Sequence, residues 1–420
     1  MRCLMTAVLM FCAAALAARE IYVDFTSGKP GALGTRGAPL ATADEALKSA
    51  APGDTIFILP SVRPIRVNLS IRDLAGTAER PIVIDGMNNI FSGAAPISSA
   101  QWHPVAPGLY KREEVTAWSW VDRYFMTFDG KINRMGRVYK AAGCGADFKK
   151  PEELAPGEWT VAQGAEVRRR GSLVWYRFEF YLRLPEGVTP ENSGVEEPVS
   201  ELRNGGIVLK GKCRHLVFRN FIVKNFLNDG YNLHGDCRDI LFENIAAVDC
   251  GDDGISAHDS CGFTARNLVV IGCSTAICHI GRAVSVQENV YAEKITGREF
   301  YFMNDTDTTI RNAYVLAGSR SGSRWTTKKG ERQRARLENI FMASENPQAR
   351  FVRQPLGEQE FGAENVRLAG FREVMKQDGV TEVRPEPLRR LIAEKRTELF
   401  ALFGGNLEKA LRPPKARPTR

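Results

Sequence analysis

An asparagine recurs at nearly constant spacing through the second half of this 420-residue chain. The intervals between its successive members are 24, 23, 22, 23, 27 and 26 residues. The series is Asn220, Asn244, Asn267, Asn289, Asn312, Asn339 and Asn365. Short apolar runs alternate with Asn, Asp and Gly around each member, without helical patterning. A period of roughly 20–30 residues of this kind predicts a solenoid with one strand-containing coil per repeat, in which the asparagines stack as a ladder.

The ladder also supplies a coordinate system for the chain. Residues at equal offsets from the ladder asparagines should lie on one line up the solenoid, about 4.8 Å apart. Since β-crossovers are right-handed, we expect an all-β protein, a right-handed parallel β-helix with about seven coils after residue 200. Cys213, Cys237 and Cys261 share one offset. We therefore expect them to be free thiols packed in the core rather than disulfides.

The regular period covers only part of the chain. Residues 201–375 form the predicted main solenoid, and residues 19–100 its cap and first coils, with a short helix near residues 42–50. Residues 101–200 break the period with aromatic, alternating strands, which predicts an inserted antiparallel β module. Residues 376–420 contain a basic tail and a predicted C-terminal helix, residues 386–403. Its apolar positions share one helical face, and we expect it to cover the last coil.

The N-terminus predicts export. Residues 1–18 read as a signal peptide, with Arg2, an apolar stretch and small residues before Arg19. We therefore expect a secreted or periplasmic protein. No later segment is apolar enough to span a bilayer. We expect a polysaccharide or oligosaccharide partner, no nucleic-acid partner and a monomeric chain.

Titratable side chains gather on one face of two or three adjacent coils. Aligning residues 205–220, 229–244 and 253–267 gives two outward columns beside a row of corner residues. The first column contains Val208, Asn232, Ser256, His279 and Tyr301, and the second contains Lys210, His234, His258, Gly281 and Met303. The corner residues include Asn204, Asn228, Asp229, Asp252 and Asp253.

Two interpretations of the corner aspartates stay open. In the structural one, Asp-Gly and Asn-Gly simply make tight corners, with glycine supplying a positive φ. In the catalytic one, Asp229 stacks over Asp253 about 5 Å away, and the repulsion lifts one pKa. Carboxylates with separated pKa values are what general acid/base cleavage of a glycosidic bond requires. His234 and His258, each five residues after an aspartate, would position substrate or carry a proton.

The net charge of +8 is unevenly distributed. Residues 318–336 contain seven Lys or Arg and one Glu. They lie in the longest gap of the ladder, which predicts a loop on the solenoid wall. Arg324 in this segment is a candidate for binding acidic groups of a substrate. The alternative is a solvated surface loop.

The N-terminal region resembles a known superfamily. "YV…G…G…P.ATADEAL…A.PGDTI…P" followed by "GT…PIVI.G" is similar to the opening of right-handed parallel β-helix enzymes of the pectin-lyase-like superfamily. NDG at 228–230 and GDDGIS at 251–256 resemble the polygalacturonase arrangement of an aspartate, an aspartate pair and a later histidine. The resemblance implies Asp229, Asp252, Asp253 and His279 as catalytic residues. His279 departs from it by not lying between glycines. The expected Arg-x-Lys is also missing, with Arg282 and Arg311 as candidate substitutes.

Three functions follow as hypotheses. The first is a secreted glycoside hydrolase, with Asp229, Asp252, Asp253, His234, His258 and His279 as candidate catalytic residues. Its candidate substrate-binding residues are Asn232, Tyr301, Lys210, Arg282 and Arg324. The second is a polysaccharide lyase or uronate C5-epimerase, since YNLH at 231–234 with His258 resembles the epimerase strand. The third is a non-catalytic glycan-binding protein. No cofactor is expected, although Asn204, Asn228 and Asp252 offer oxygens that suit Ca²⁺.

Overall fold

The computed structural model describes residues 17–128, 131–133, 148–202 and 205–411. The predicted signal peptide, Asn204 and the end of the basic tail therefore lie wholly or mainly outside the described residues. The described chain is a parallel β-solenoid, as predicted, and successive coils pair in parallel along its axis. Among the described helices, none combines the length and the apolar character needed to cross a bilayer.

The solenoid wall consists of two parallel sheets. One sheet contains the ladder asparagines, and we call it the ladder sheet. Its strands are Glu20–Val23, Thr55–Ile58, Ile82–Ser92, Arg214–Lys224, Arg238–Val248, Gly262–Ile271, Val284–Glu293, Asp307–Ala317, Arg332–Ser344, Glu358–Ala369 and Val380–Glu382. We call the other the short-strand sheet. Its strands are Leu69–Arg72, Gly205–Lys210, Asp229–Leu233, Asp253–Ala257, Thr275–His279, Arg298–Met303, Ser323–Thr327, Arg350–Pro355 and Glu373–Val374.

The asparagine ladder is present as predicted. Each asparagine from Asn244 to Asn365 donates its side-chain amide to the side-chain oxygen of the preceding one, at N···O distances of 2.8–3.2 Å. Asn220, the first member, donates instead to Asp85. All seven have a positive φ, between 51° and 60°. The left-handed backbone bends each long strand there, and asparagine tolerates it better than most residues.

The core lies between the two sheets, and the predicted thiols belong to it. Cys213, Cys237 and Cys261 are buried and free. The predicted N-terminal helix is also present, as Ala43–Ser49. Thr42 caps it, and Glu45 completes a reciprocal capping box.

The inserted module is antiparallel, as predicted, and begins earlier than expected, at Ala94. One four-stranded sheet contains His103–Ala106, Leu109–Ala117, Trp159–Arg170 and Leu173–Arg183. The other contains Ala94–Pro96, Met126–Phe128, Lys131–Asn133 and Glu196–Pro198. The module also holds a short helix, Trp118–Val121, and the 3₁₀ turns Pro151–Glu153, Pro190–Asn192 and Ser200–Leu202.

The C-terminal helix exists but does not cover the last coil. Helices Pro385–Ala401 and Asn406–Leu411 pack along the outer face of the ladder sheet and run back toward its first coils. Their buried residues include Leu388, Ile392, Phe400 and Leu407. This flank is apolar in successive coils, so it offers a longer contact surface than the end of the solenoid.

The ladder predicts a measurable stability difference. Asn267→Gly keeps the backbone unstrained but removes the hydrogen bonds to Asn244 and Asn289. We expect it to lose about 2 kcal/mol of the free energy of unfolding. Asn267→Ala adds the cost of a left-handed backbone and should lose roughly 1 kcal/mol more. Urea unfolding measures both variants, and values within about 0.5 kcal/mol of wild type for both would contradict the ladder's structural role.

Candidate active site

Three carboxylates meet where the short-strand sheet begins. Asp229 and Asp253 are the first residues of strands Asp229–Leu233 and Asp253–Ala257. One oxygen from each of Asp229, Asp252 and Asp253 lies within 4.8 Å of the others. The Asp253 backbone N–H also donates to Asp229 Oδ1, at 3.1 Å. The predicted stacking of the two aspartates is therefore present.

The glycine after each aspartate has a packing role rather than the predicted positive φ. A Cβ on Gly230 would lie 2.7 Å from the Ala247 Cβ, and one on Gly254 would lie 2.5 Å from Val270 Cγ1. Neither glycine is among the positive-φ residues. Glycine is needed here because the backbone passes close to core side chains, which leaves each preceding aspartate facing outward.

The inserted module forms part of the site. Leu227, beside the corner, belongs to the apolar cluster of the module. Arg123, two residues after the module's short helix, forms an ion pair with Asp252 at 2.7 Å. Arg123 also donates to Asn228 Oδ1 at 2.8 Å. Sequence reasoning missed Arg123, because no local pattern links this residue to a corner more than a hundred positions away.

The two aspartates that begin the strands are buried, although the sequence places them on an outward face of the coils. Asp229 is 2% and Asp253 7% exposed, whereas the Asp252 side chain is 28% exposed. Asp252 therefore faces solvent, and Asp253 is the more accessible of the two buried acids.

Burial sets the protonation of the two inner aspartates. Desolvation, with the charge of Asp252 adding to it, raises the pKa of Asp229 to about 7. Desolvation and the charges of Asp252 and Asp229 raise the pKa of Asp253 well above its usual range. The guanidinium of Arg123 opposes both shifts. The pair therefore retains at least one proton near neutral pH, beside an Asp252 that is ion-paired.

Asp229 is held by four donors. Ser256 Oγ donates to its Oδ2 at 2.8 Å and Asn228 at 3.2 Å, and Asn232 donates to the same oxygen. The Asp253 N–H provides the fourth bond. Asn232, predicted as a substrate-binding residue, is thus buried against Asp229, and its own side-chain oxygen has no partner among the described residues. Its role is to orient Asp229.

The two predicted histidines stack beside this network. The rings of His234 and His258 lie 4.2 Å apart and are nearly parallel. His258 Nε2 is 3.3 Å from Ser256 Oγ, which connects the histidine pair to Asp229. Burial, with the neighbouring His234, lowers the pKa of His258 to about 4. Burial also lowers the pKa of His234. His258 is therefore a neutral imidazole at neutral pH.

His279 was wrongly predicted as a site residue. It pairs in register with Ala257 and Phe302, faces the core and is 0% exposed. It packs against Phe263 and Phe302, and its Nε2 contacts Gln287 Nε2 at 2.9 Å. Burial lowers its pKa to about 3. Cys278 occupies the outward position beside Ser256 instead, and Ile277 pairs with the core residue Ile255.

A shorter turn explains this shift. Asp253 follows its ladder asparagine, Asn244, by nine positions, whereas Thr275 follows Asn267 by eight. The asparagine ladder sets the register of the strands in the ladder sheet. The length of the turn between the two sheets decides which residues of the short-strand sheet point into the core. The same shift puts Ile280 rather than Gly281 beside His258.

The remaining predicted substrate-binding residues divide into two groups. Tyr301 and Arg324 pair directly across adjacent strands, three and four coils beyond Asn232 in the same outward column. Arg324 belongs to a strand rather than to the predicted loop. Lys210 occupies the column of His234, where its charge adds to the lowering of that residue's pKa. Arg282 lies past the far end of the strands, donating to Ser260 Oγ at 3.1 Å, and is remote from the aspartates.

The three carboxylates suit a proton better than a cation. Calcium takes six to eight oxygen ligands, but the oxygens of Asp229 already accept four hydrogen bonds. The Arg123 guanidinium also contacts both Asp252 and Asn228, two of the residues proposed above to hold Ca²⁺. A bound cation would have to displace this positive charge.

Comparisons with known proteins found distant structural similarities and no sequence match. Neither protein-family models nor curated proteins match the sequence. A structure of XylC with xylose is similar at 10% identity and a TM-score of 0.42, covering 86% of each chain. A glycoside hydrolase has 10% identity and a TM-score of 0.44, covering 90% of this chain and 98% of its own. Pectate lyase Pel9A has 10% identity and a TM-score of 0.35, covering 87% and 79%. At these values the similarities carry no argument about function, and the solenoid fold rests on its own strand pairing.

The raised pKa of Asp229 predicts a pH-dependent stability difference. The folded protein holds this proton up to about pH 7, whereas the ordinary pKa is 3.8. The folded state thus binds more protons in this window, and this contribution to stability is lost as the pH rises from about 4 to about 7. Asp229→Asn removes that loss. Relative to wild type, we expect the variant's free energy of unfolding to rise by roughly 2–4 kcal/mol between pH 4 and pH 8.

Urea unfolding at both pH values measures this change. The histidine titrations are common to both proteins and cancel in the difference. Asp239→Asn is the matched control, because Asp239 is an exposed aspartate of the ladder sheet with a φ of 55° that asparagine also tolerates. A difference between Asp229→Asn and wild type that stays constant across the pH range would contradict the raised pKa.

Proposed function

We propose that this protein is a glycoside hydrolase that cleaves a polysaccharide by carboxylate acid/base catalysis. The observation that supports this most is that three carboxylates within 4.8 Å of one another have different environments. Two are buried with raised pKa values, and the third is partly exposed and paired with Arg123. Glycosidases use one protonated and one ionised carboxyl group flanking the scissile bond.

Each carboxylate then has a role. Asp253, protonated and the more accessible buried acid, donates its proton to the leaving glycosidic oxygen as the C–O bond breaks. Asp252, ion-paired with Arg123, acts either as the base that takes a proton from the attacking water or as the nucleophile. The anomer of the first product, read by NMR, distinguishes these two outcomes. Asp229 is a positioning residue, since it binds the Asp253 backbone and its charge raises the pKa of Asp253.

A polysaccharide lyase is the second candidate. The observation that favours it is the neutral His258, whose pKa of about 4 leaves an unprotonated imidazole at neutral pH. Such a base could remove the proton next to a uronate carboxylate. Oligosaccharide digests separate the candidates. New reducing ends without ultraviolet absorbance indicate a hydrolase, an absorbing unsaturated product indicates a lyase, and binding without either product indicates a non-catalytic protein.

Asp253→Asn should abolish turnover while leaving the melting temperature nearly unchanged. The substitution keeps the shape of the side chain but removes the transferable proton, and general acid catalysis contributes about 10²–10⁴-fold. Asp239→Asn, remote from the corner, is the control and should keep wild-type turnover. The measurement is reducing-end release together with thermal unfolding. If Asp253→Asn unfolds the protein but keeps full activity per folded molecule, the corner has only a structural role.

The acid's pKa also predicts the alkaline limb of the pH profile. Because the aspartate pair must hold a proton in the free enzyme, kcat/KM should decline as the pH rises above about 7. Asp229→Asn removes the neighbouring charge and should move this limb to lower pH. A chelator should leave the activity unchanged, since the proposal requires no metal. An alkaline limb that Asp229→Asn does not move would count against the coupling of the two aspartates.

A further inference from the structure

Two arginines face the same side of the short-strand sheet as the aspartates. Arg298 pairs in register with Thr275, which pairs with Asp253 in the preceding coil. Arg324 pairs with Tyr301, one coil further along. The Arg298 guanidinium lies over the Tyr301 ring, 4.6 Å from its centroid. Arg298 is therefore two coils, or about 10 Å, from Asp253 along the solenoid axis. Over this distance the side chains on this face change from carboxylates to guanidinium groups.

The two guanidinium groups repel each other, and neither forms an ion pair within the part of the chain that the structure describes. Arg298 and Arg324 are both half-buried, and burial, with the charge of Arg324 contributing, lowers the pKa of Arg298. Among the described residues, neither guanidinium has an ion pair or a hydrogen-bond acceptor, and Arg324 Nε is buried without a partner. Glu299, beside Arg298, is buried and accepts hydrogen bonds from Ser319 instead.

This arrangement is costly unless an anion joins it. A partly buried charge that has no ion pair loses hydration, and no carboxylate restores what is lost. Two guanidinium forks on neighbouring coils provide several donors that match a planar carboxylate or a sulfate. Cys278, in the coil between, pairs with Ser256 on one side and with Tyr301 on the other. The cationic and acidic groups therefore lie on the same side of the sheet.

We propose that Arg298 and Arg324 form an anion-binding subsite that holds an acidic group of a glycan, a uronate carboxylate or a sulfate ester, about two coils from the aspartates. This inference rests on the proposed function for its glycan, and it adds the class of sugar and its position. The acidic group sits one or two sugar units from the bond that is cleaved. The negative aspartates and the positive subsite also fix the direction in which the chain lies.

Binding calorimetry tests the subsite without relying on catalysis. The probes are a uronic-acid trisaccharide, its methyl ester, which is the same sugar without charge, and a sulfated trisaccharide. Wild type should bind the free acid or the sulfated sugar at least about tenfold more tightly than the ester. Which charged probe shows the preference distinguishes carboxylate from sulfate. The preference should weaken as salt rises.

Variants assign the preference to residues. Arg298→Gln and Arg324→Gln should each remove most of the preference for the charged sugar, whereas Arg336→Gln should keep it. Arg336 belongs to the same basic segment but is exposed on the ladder sheet, so it controls for the loss of one positive charge. Arg298→Lys retains the charge but not the fork and should give an intermediate preference. It also tests the subsite if Arg298→Gln has a low melting temperature.

The outcomes separate this inference from the proposed hydrolase. Equal binding of the acid and its ester by wild type, or an unchanged preference in both Gln variants, overturns the subsite even if neutral glycans are cleaved. A preference that depends on both arginines supports the subsite even if no glycan is cleaved, in which case only the hydrolase proposal fails.

Discussion

Parallel stacking of the coils is the constraint on which the other features of this molecule depend. Each ladder asparagine after Asn220 bonds to the one before it, and all seven hold their backbone in the left-handed region. The long strands therefore bend at the same place in every coil. Residues repeated in successive coils must then stack at the strand spacing of about 4.8 Å. Like charges that recur, such as Asp229 and Asp253, are forced together, and one consequence is a raised pKa.

The inserted module turns this corner into a chemical site. Without it, the aspartates would be solvated turn residues, and the charge of each would be screened by water. The apolar cluster of the module includes Leu227 at the corner, and Arg123 reaches Asp252 and Asn228. Burial thus favours the protonated form of the inner pair, while Asp252 forms an ion pair with Arg123. Burial acts on Asp253 and the ion pair acts on Asp252, so two residues that are adjacent in sequence have different environments.

Most of the fold could be predicted from the sequence, because the asparagine spacing reports directly on the coil period. The asparagine spacing does not predict which residues of the short-strand sheet face the core. The turn after Asn267 is one residue shorter than the turn after Asn244, and this moves His279 into the core. The burial of Asp229 and Asp253 depends on how the module packs, which local patterns do not encode. The position of Arg298, by contrast, could have been predicted from the sequence. It follows Asn289 by nine positions, as Asp253 follows Asn244, and the same column would have placed it beside the aspartates.

The protonation of the inner aspartates at neutral pH can be measured directly by infrared spectroscopy. A protonated carboxyl group absorbs at a higher frequency than a carboxylate, so a pH titration of the wild type and of the Asp229→Asn/Asp253→Asn double variant isolates the pair. The structure predicts a protonated-carboxyl band that persists in the wild type to about pH 7 and is absent from the double variant. Loss of the band below about pH 5 in the wild type, as for ordinary aspartates, would contradict it.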